Sequence, residues 1–437
     1  MIDGRLDVPA SAIGFEAFIF HGKTYGYFGI GPALLRIPLI LMFGDLDGRW
    51  SRAMMMIACT ANLICAYGIL RLIRGEAEET TRIQRMIDSL FIICAGIGST
   101  NVFMMSRSFV FHEAIMWSGT FGLLCAWTIM KYLRTPRTGL LALAGCFAFM
   151  CFHCRALVGT GALLALCLLA VVLGGQSFGK LWRPLSGFTF PLLARPLLHV
   201  AIAVTAICLT LGTYFGVNYA KFRTIEGVPL RYYNLYMQNP DRMQLTGAKQ
   251  IHPENIPTNL ATYFGLRGLR VAGTFPWFFL GNQPTIIGTP AIDVIEPFSS
   301  FPESMPAMTI LALAGAMALW RGSSKNIRRA RLPALTLLIG GAIVFTTVGI
   351  TERYLHDLYA ALVIFAAVGA ARLSSGCYAQ YKTAAIALLA LIGVVFNCAF
   401  ALVNQRTAPW GVPETKRAQF LHLQQSVDRF LHLPPKT

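Results

Sequence analysis

Apolar runs with few or no charged residues recur along the chain at about 51–70, 86–105, 109–130, 138–153, 156–173, 197–216, 304–320, 332–350, 354–371 and 383–403. An α-helix needs about 20 apolar residues to cross the roughly 30 Å hydrocarbon core of a bilayer, so the pattern predicts ten spanning helices. A further apolar stretch, 27–43, is interrupted by Gly29, Gly31, Pro32, Arg36 and Pro38. Those residues make a straight lipid-facing helix costly, and a re-entrant or juxtamembrane helix fits better. The stretch 217–303 is rich in Tyr, Asn, Pro and Gly, as in Arg231-Tyr-Tyr-Asn-Leu-Tyr236 and Phe275-Pro-Trp-Phe-Phe279. It is too long and too aromatic for a disordered linker and is expected to pack as a cap. In the tail, Phe420, Leu423, Val427, Phe430 and Leu431 recur at helical spacing between polar residues, which predicts an interfacial amphipathic helix.

The expected fold class is therefore an all-α polytopic membrane protein in five segments. These are an N-terminal segment with the juxtamembrane helix (1–50), a first helical bundle (51–216), one large loop (217–303), a second bundle (304–405) and the amphipathic tail (406–437).

Composition supports this class: 55% of the 437 residues are hydrophobic and 13% charged, against about 25% charged in an ordinary soluble domain. The net charge of +17 (37 Lys and Arg against 20 Asp and Glu) would suggest a nucleic-acid partner in a soluble protein. Here the basic residues fall between apolar runs, so topology explains them and no nucleic acid is expected. Arg71, Arg74, Arg82, Arg85, Lys131, Arg134, Arg137, Lys180, Arg183, Arg195, Arg321, Lys325, Arg328, Arg329, Arg331, Arg372 and Lys382 share one set of alternate loops. The opposite short loops carry only Arg49, Arg52, Arg107, Arg155 and Arg353. Basic residues concentrate on the cytoplasmic side, so the first set is expected there and the 217–303 loop and the tail outside. The eleven cysteines lie almost wholly within the apolar runs, where Cys behaves as a small apolar residue, and report no redox compartment. No cleavable leader is recognisable, since the first eleven residues are polar.

On that topology the ionisable residues gather at the outer helix ends: Arg107, His112 and Glu113 in Ser106-Arg-Ser-Phe-Val-Phe-His-Glu113, His153 and Arg155 in a tight turn, and Glu352, Arg353, His356 and Asp357 in Thr351-Glu-Arg-Tyr-Leu-His-Asp357. Asp7, Glu16, His21, Lys23 and Arg36 join them if the N-terminal segment is extracytoplasmic. A shared outward cavity holding them could grip an anionic headgroup with guanidinium forks and activate a hydroxyl with a carboxylate or imidazole. Set against this, polar residues at helix ends often do no more than sit at the interface. Cys151-Phe-His-Cys154 has the spacing of half a metal site but lacks a second pair, so small-residue packing explains it better and a divalent metal is optional. Gly29-Ile-Gly31-Pro32 is not a phosphate loop, no nucleotide motif is present, and no Ser or Cys stands in a nucleophile context.

These motifs resemble those of the GT-C superfamily of polytopic glycosyltransferases, above all the branch of protein O-mannosyltransferases and lipid A aminoarabinose transferases. Gly4-Arg-Leu-Asp-Val-Pro9, His21-Gly-Lys-Thr-Tyr25 and the Tyr27 to Pro38 stretch look like the family's first extracytoplasmic segment. Glu113 matches a second acid at a helix start, and Arg353-Tyr354 through Asp357 matches a late helix start that faces the carrier phosphate. The resemblance implies transfer of a sugar from a polyprenyl-phosphate donor to a hydroxyl on a glycan, lipid or protein acceptor, in a bacterial plasma membrane, without a nucleotide cofactor. Arg353, with Arg107 or Arg155, would stabilise the leaving phosphate, while Glu113 and His112 orient acceptor or base. His356, Asp357, Tyr25 and Tyr27 fall on the substrate side. In the family a transmembrane helix and the catalytic acid precede the Gly-x-x-x-x-Pro element, whereas this sequence starts three residues before Gly4. The expectation is that both lie upstream of Met1; otherwise Asp7 or Glu16 must act as the base. The competing readings are a secondary transporter or lipid flippase, which would place charges near the midplane in matched broken helices, and a non-catalytic relative that binds lipid-linked sugar.

Overall fold

The computed structural model describes residues 4–44, 49–75, 81–177, 195–322, 324–373, 378–407 and 413–432. Lys180 and Arg183 of the basic set, and both ends of the tail, lie outside them. The chain is mostly helical. Its principal helices are α1 (Gly31–Phe43), α2 (Arg49–Arg74), α3 (Arg82–Ala95), α4 (Thr100–Met105), α5 (Val110–Arg134), α6 (Thr138–Cys154), α7 (Ala156–Ser177) and α8 (Pro196–Phe222). They continue as α9 (Ile256–Phe264), α10 (Pro306–Arg321), α11 (Lys325–Ala342), α12 (Tyr359–Leu373), α13 (Ala379–Thr407) and α14 (Glu414–Phe430).

Seven helical stretches among the described residues are long and apolar enough to cross a membrane: 50–74, 82–105, 156–176, 196–222, 325–346, 352–373 and 379–404. They mark the chain as a membrane protein. Ten were expected. Of the remaining three, α6 and α10 are apolar but have only 17 and 16 residues, about 25 Å of helix. The third, α5, is buried on nearly every face and carries His112, Glu113, Ser118 and Thr120 inward, which lowers its hydropathy. The 82–105 run is also bent, because Gly96 ends α3 and the Ser99 side chain caps α4 through the Asn101 N–H.

Helix α5 is the axis of the bundle, with α2, α6, α7 and α11 against it. Small residues permit the closest crossings, as lipid offers apolar side chains no net gain from burial against one another. Where α10 meets α12, a Cβ on Gly315 would stand 1.8 Å from the Phe365 carbonyl oxygen, and one on Gly369 2.0 Å from that of Leu311.

Residues 223–305 form short elements rather than a free loop. Asn255 and Asn259 bond the carbonyl oxygens of Thr347 and Phe345 at 3.0 and 2.8 Å. The Tyr263 hydroxyl pairs with the Thr351 main chain. A two-residue parallel pairing, β5 (Val294–Ile295) on β6 (Gly349–Ile350), carries Glu296 to the start of the 352–358 turn. Two antiparallel pairings, β1 (Phe18–Phe20) with β2 (Lys23–Tyr25) and β3 (Leu269–Val271) with β4 (Phe278–Leu280), complete the strands. In the first hairpin, His21 and Gly22 both take positive φ, the geometry of a tight two-residue turn. Its Phe18 and Tyr25 sit in an aromatic cluster with Phe222, Leu230 and Tyr236, which fastens the N-terminal segment to the end of α8.

The interrupted 27–43 stretch gives the 13-residue α1, and its glycines have a packing reason. A Cβ on Gly29 would lie 1.9 Å from the His153 carbonyl oxygen, so the chain leading into α1 rests directly on the α6–α7 turn. Gly29→Ala is expected to destabilise the chain by about 1–3 kcal/mol through overpacking, measured by thermal melting in detergent. In the tail, α14 is the expected helix, and its contacts with the rest of the chain are polar as well as apolar. Phe420 and Gln424 are buried, Gln424 donates to the Phe275 carbonyl at 2.6 Å and Asp428 accepts from the Phe275 N–H at 2.8 Å, while Phe430 is 82% exposed. Gln424 and Asp428 thus dock α14 on the 275–279 segment, while Leu423, Phe430 and Leu431 of the apolar stripe stay exposed.

Candidate functional site

Three cavities adjoin one another where the N-terminal segment, the starts of α5 and α7, and the 351–357 turn meet. The largest, about 710 Å³, holds Arg155, Arg231 and Lys249 beside Tyr27, Phe152 and Ile343. A second, about 520 Å³, holds Asp7, Arg36, Glu113 and Lys221 among apolar walls. A third, about 420 Å³, holds Glu16, Arg107, His112, Glu296 and Arg353. The first two share Phe28, Gly29 and Ala114, and Phe111 lines both the first and the third. Glu113, Arg155 and Arg353 were expected in a single pocket; instead they open into three chambers, because the Phe28 and Phe111 rings stand between them.

Each of those three residues has a partner from a distant part of the chain. Arg36 donates through Nε to Glu113 at 3.0 Å, makes a second bond to the same carboxylate and reaches the Ser51 hydroxyl at 2.6 Å. Arg155 grips Asp357 with both nitrogens, at 3.0 and 2.7 Å. Arg353 donates to Glu296 at 2.6 Å, an oxygen that also accepts from the Thr351 hydroxyl at 2.8 Å. The Arg353 guanidinium also lies 4.4 Å from the centre of the Phe111 ring, and that of Arg107 the same distance from Phe109.

Glu16 is different, for among the described residues it has no cation within ion-pair distance. It ends a short 3₁₀ turn (Gly14–Glu16) that is held when the Asn234 N–H bonds the next carbonyl, Ala17, at 2.9 Å. Burial raises its pKa, Arg353 pulls it back, Glu296 raises it further and the nearby Tyr233 hydroxyl lowers it slightly. Tyr27 lies within the fields of Glu16, Arg155 and Arg353, and its burial keeps the phenol protonated. Asp7 contrasts with Glu16. It is paired with Arg5 at 2.5 Å on the surface side of the second cavity, and that guanidinium holds its carboxyl below the usual range.

Of the other expected site residues, His356, Asp357 and Tyr25 fall short of these three cavities. The His356 Nδ1 bonds the Thr100 hydroxyl at 2.9 Å and its ring stacks on Tyr359, so it is packed beneath the site. Asp357 is fully buried behind Arg155. Tyr25 packs against Phe222 in the aromatic cluster. His112 borders the third cavity with its Nδ1 shared between the Met104 and Arg107 carbonyls. Cys151 donates to the Ser118 carbonyl, and no three metal-ligating side chains converge among the described residues.

Two residues escaped the sequence reading. Glu296 lies in the loop with no motif around it, and Lys221 closes an apolar run where it reads as an ordinary flanking charge. Protein-family models, curated proteins and solved structures give no match to this chain.

Proposed function

We propose that the chain is a bacterial plasma-membrane glycosyltransferase with ten spans and its 217–303 loop outside, moving a sugar from a polyprenyl-phosphate donor to an acceptor hydroxyl. The observation that carries this reading is the third cavity, where a half-buried carboxylate without a cationic partner, Glu16, stands in the field of Arg353. Glu16 takes the acceptor's proton as its oxygen bonds the anomeric carbon. The bond from that carbon to the donor phosphate breaks, and the electron pair leaves with polyprenyl phosphate. Arg353 and Arg107 face the leaving oxygen, where a preorganised cation acts on charge as it develops. Glu296 neutralises Arg353 and yields to the incoming phosphate. Phe109, Phe111 and Phe279 supply flat apolar walls for a sugar face.

The test is transfer of radiolabelled sugar from polyprenyl phosphate by the purified full chain in lipid. Transfer is expected, and Arg353→Gln is expected to lower its rate by about 10²- to 10³-fold. Solute flux without transfer from any polyprenyl-phosphate sugar would overturn the reading.

A further inference from the structure

Lys221 lines the second cavity and is only 6% exposed. Its ammonium donates to two neutral groups, the carbonyl oxygens of Gly26 at 3.1 Å and Phe28 at 3.3 Å. An ammonium has three donors, so one remains. Among the described residues no carboxylate lies within ion-pair distance of it. The cavity's two acids are already taken, Asp7 by Arg5 and Glu113 by Arg36. The chamber therefore holds one uncompensated buried cation, and burying such a charge without a counter-ion is costly.

Two further features complete the geometry. The first turn of α1 borders the chamber at Ile30, Pro32 and Ala33 with no side chain capping it, which leaves the positive end of a 13-residue helix beside Lys221. The lining continues with Ile37, Ile40 and Val110 beside the mutually paired Arg36 and Glu113. At the end of the same helix, Leu41, Met42 and Phe43 are 69%, 65% and 64% exposed. Cationic at one end and open to apolar surface at the other, the chamber is shaped for an amphiphile.

We propose that this chamber seats a bilayer phospholipid with a small anionic headgroup, its phosphate on Lys221 and its acyl chain along Ile37 and Ile40. The seat is separate from the Glu16–Arg353 cavity and does not depend on transfer activity. It would clamp α1 to the end of α8 and hold the 26–29 segment against the bundle.

The experiment is binding of dioleoylphosphatidate and dioleoylphosphatidylcholine to the delipidated full chain in detergent, followed by native mass spectrometry. Phosphatidate is expected to bind tighter. Lys221→Met is expected to weaken phosphatidate about 10- to 100-fold and leave phosphatidylcholine unchanged, as suits loss of a charge-assisted bond. Lys221→Arg should keep the preference. Ile37→Trp fills the tail slot without touching the cation and should weaken phosphatidate as well, which keeps the test open if Lys221→Met does not fold. Equal binding of the two lipids by the unmodified chain, or phosphatidate binding insensitive to both substitutions, would overturn the proposal. So would displacement of phosphatidate by stoichiometric polyprenyl phosphate, which would give the seat to the carrier instead.

Discussion

Glu16→Gln is expected to reduce sugar transfer by about 10²- to 10⁴-fold, the usual loss when a positioned general base is removed, while the chain stays folded. The amide preserves shape and size, so the change isolates the proton-accepting step. The pH profile gives an independent readout. Burial raises the Glu16 pKa above its ordinary 4.5, and a base works only when ionised. Transfer should therefore decline on the acid side at a pH higher than an exposed carboxylate would give, and Glu16→Gln should flatten that limb.

Stability moves in the opposite sense. A carboxyl whose folded pKa is raised contributes stability that is complete below its unfolded pKa and lost as pH climbs through the folded value. At neutral pH ionised Glu16 is thus a cost to the fold, and Glu16→Gln should hold or raise the melting temperature while activity collapses. Parallel loss of activity and melting temperature would identify Glu16 as a structural residue and remove the base from the scheme.

Much of the framework was legible in the sequence because membrane burial writes itself as composition. Helices occupy the positions of the ten apolar runs, since a run without charges can satisfy its backbone only by pairing with itself. Span count was less legible: α5 trades hydropathy for inward polar groups, and α6 and α10 are short. The site was legible in its parts and not in its arrangement. Arg155 and Asp357 are 202 positions apart, and Arg36 and Glu113 are 77 apart, distances over which no local pattern carries information. Nor could a sequence show that Phe28 and Phe111 divide one pocket into three. Glu16 and Asp7 were both identifiable as acids of the N-terminal segment. The difference between them became visible only in the fold, where Arg5 pairs with Asp7 and, among the described residues, no cation lies within ion-pair distance of Glu16.

Arg155→Met is expected to destabilise the chain by about 3–5 kcal/mol, because it leaves the Asp357 carboxylate buried and unpaired. The two Arg155–Asp357 bonds are 3.0 and 2.7 Å long, Asp357 has no exposed side-chain surface and Arg155 retains 10%, so little water is available to replace the lost donor. Asp357→Leu in the same chain removes the orphaned charge and should restore most of the melting temperature, since replacing both members of a buried pair by apolar groups is often neutral. The double variant then separates two roles that the geometry places on one residue. Arg155 also faces the first cavity, with its guanidinium 5.4 Å from the Tyr354 ring centre. If the pair serves only to dock the α6–α7 turn on the 352–358 turn, the stabilised double variant transfers sugar at the rate of the unmodified chain. If Arg155 also orients the donor, stability returns and transfer does not, with the loss appearing mainly in KM for the polyprenyl-phosphate sugar because a cation outside the Glu16 cavity binds ground and transition states alike. A double variant that remains as unstable as Arg155→Met would show that the pair's geometry, rather than its charge balance, holds the turn.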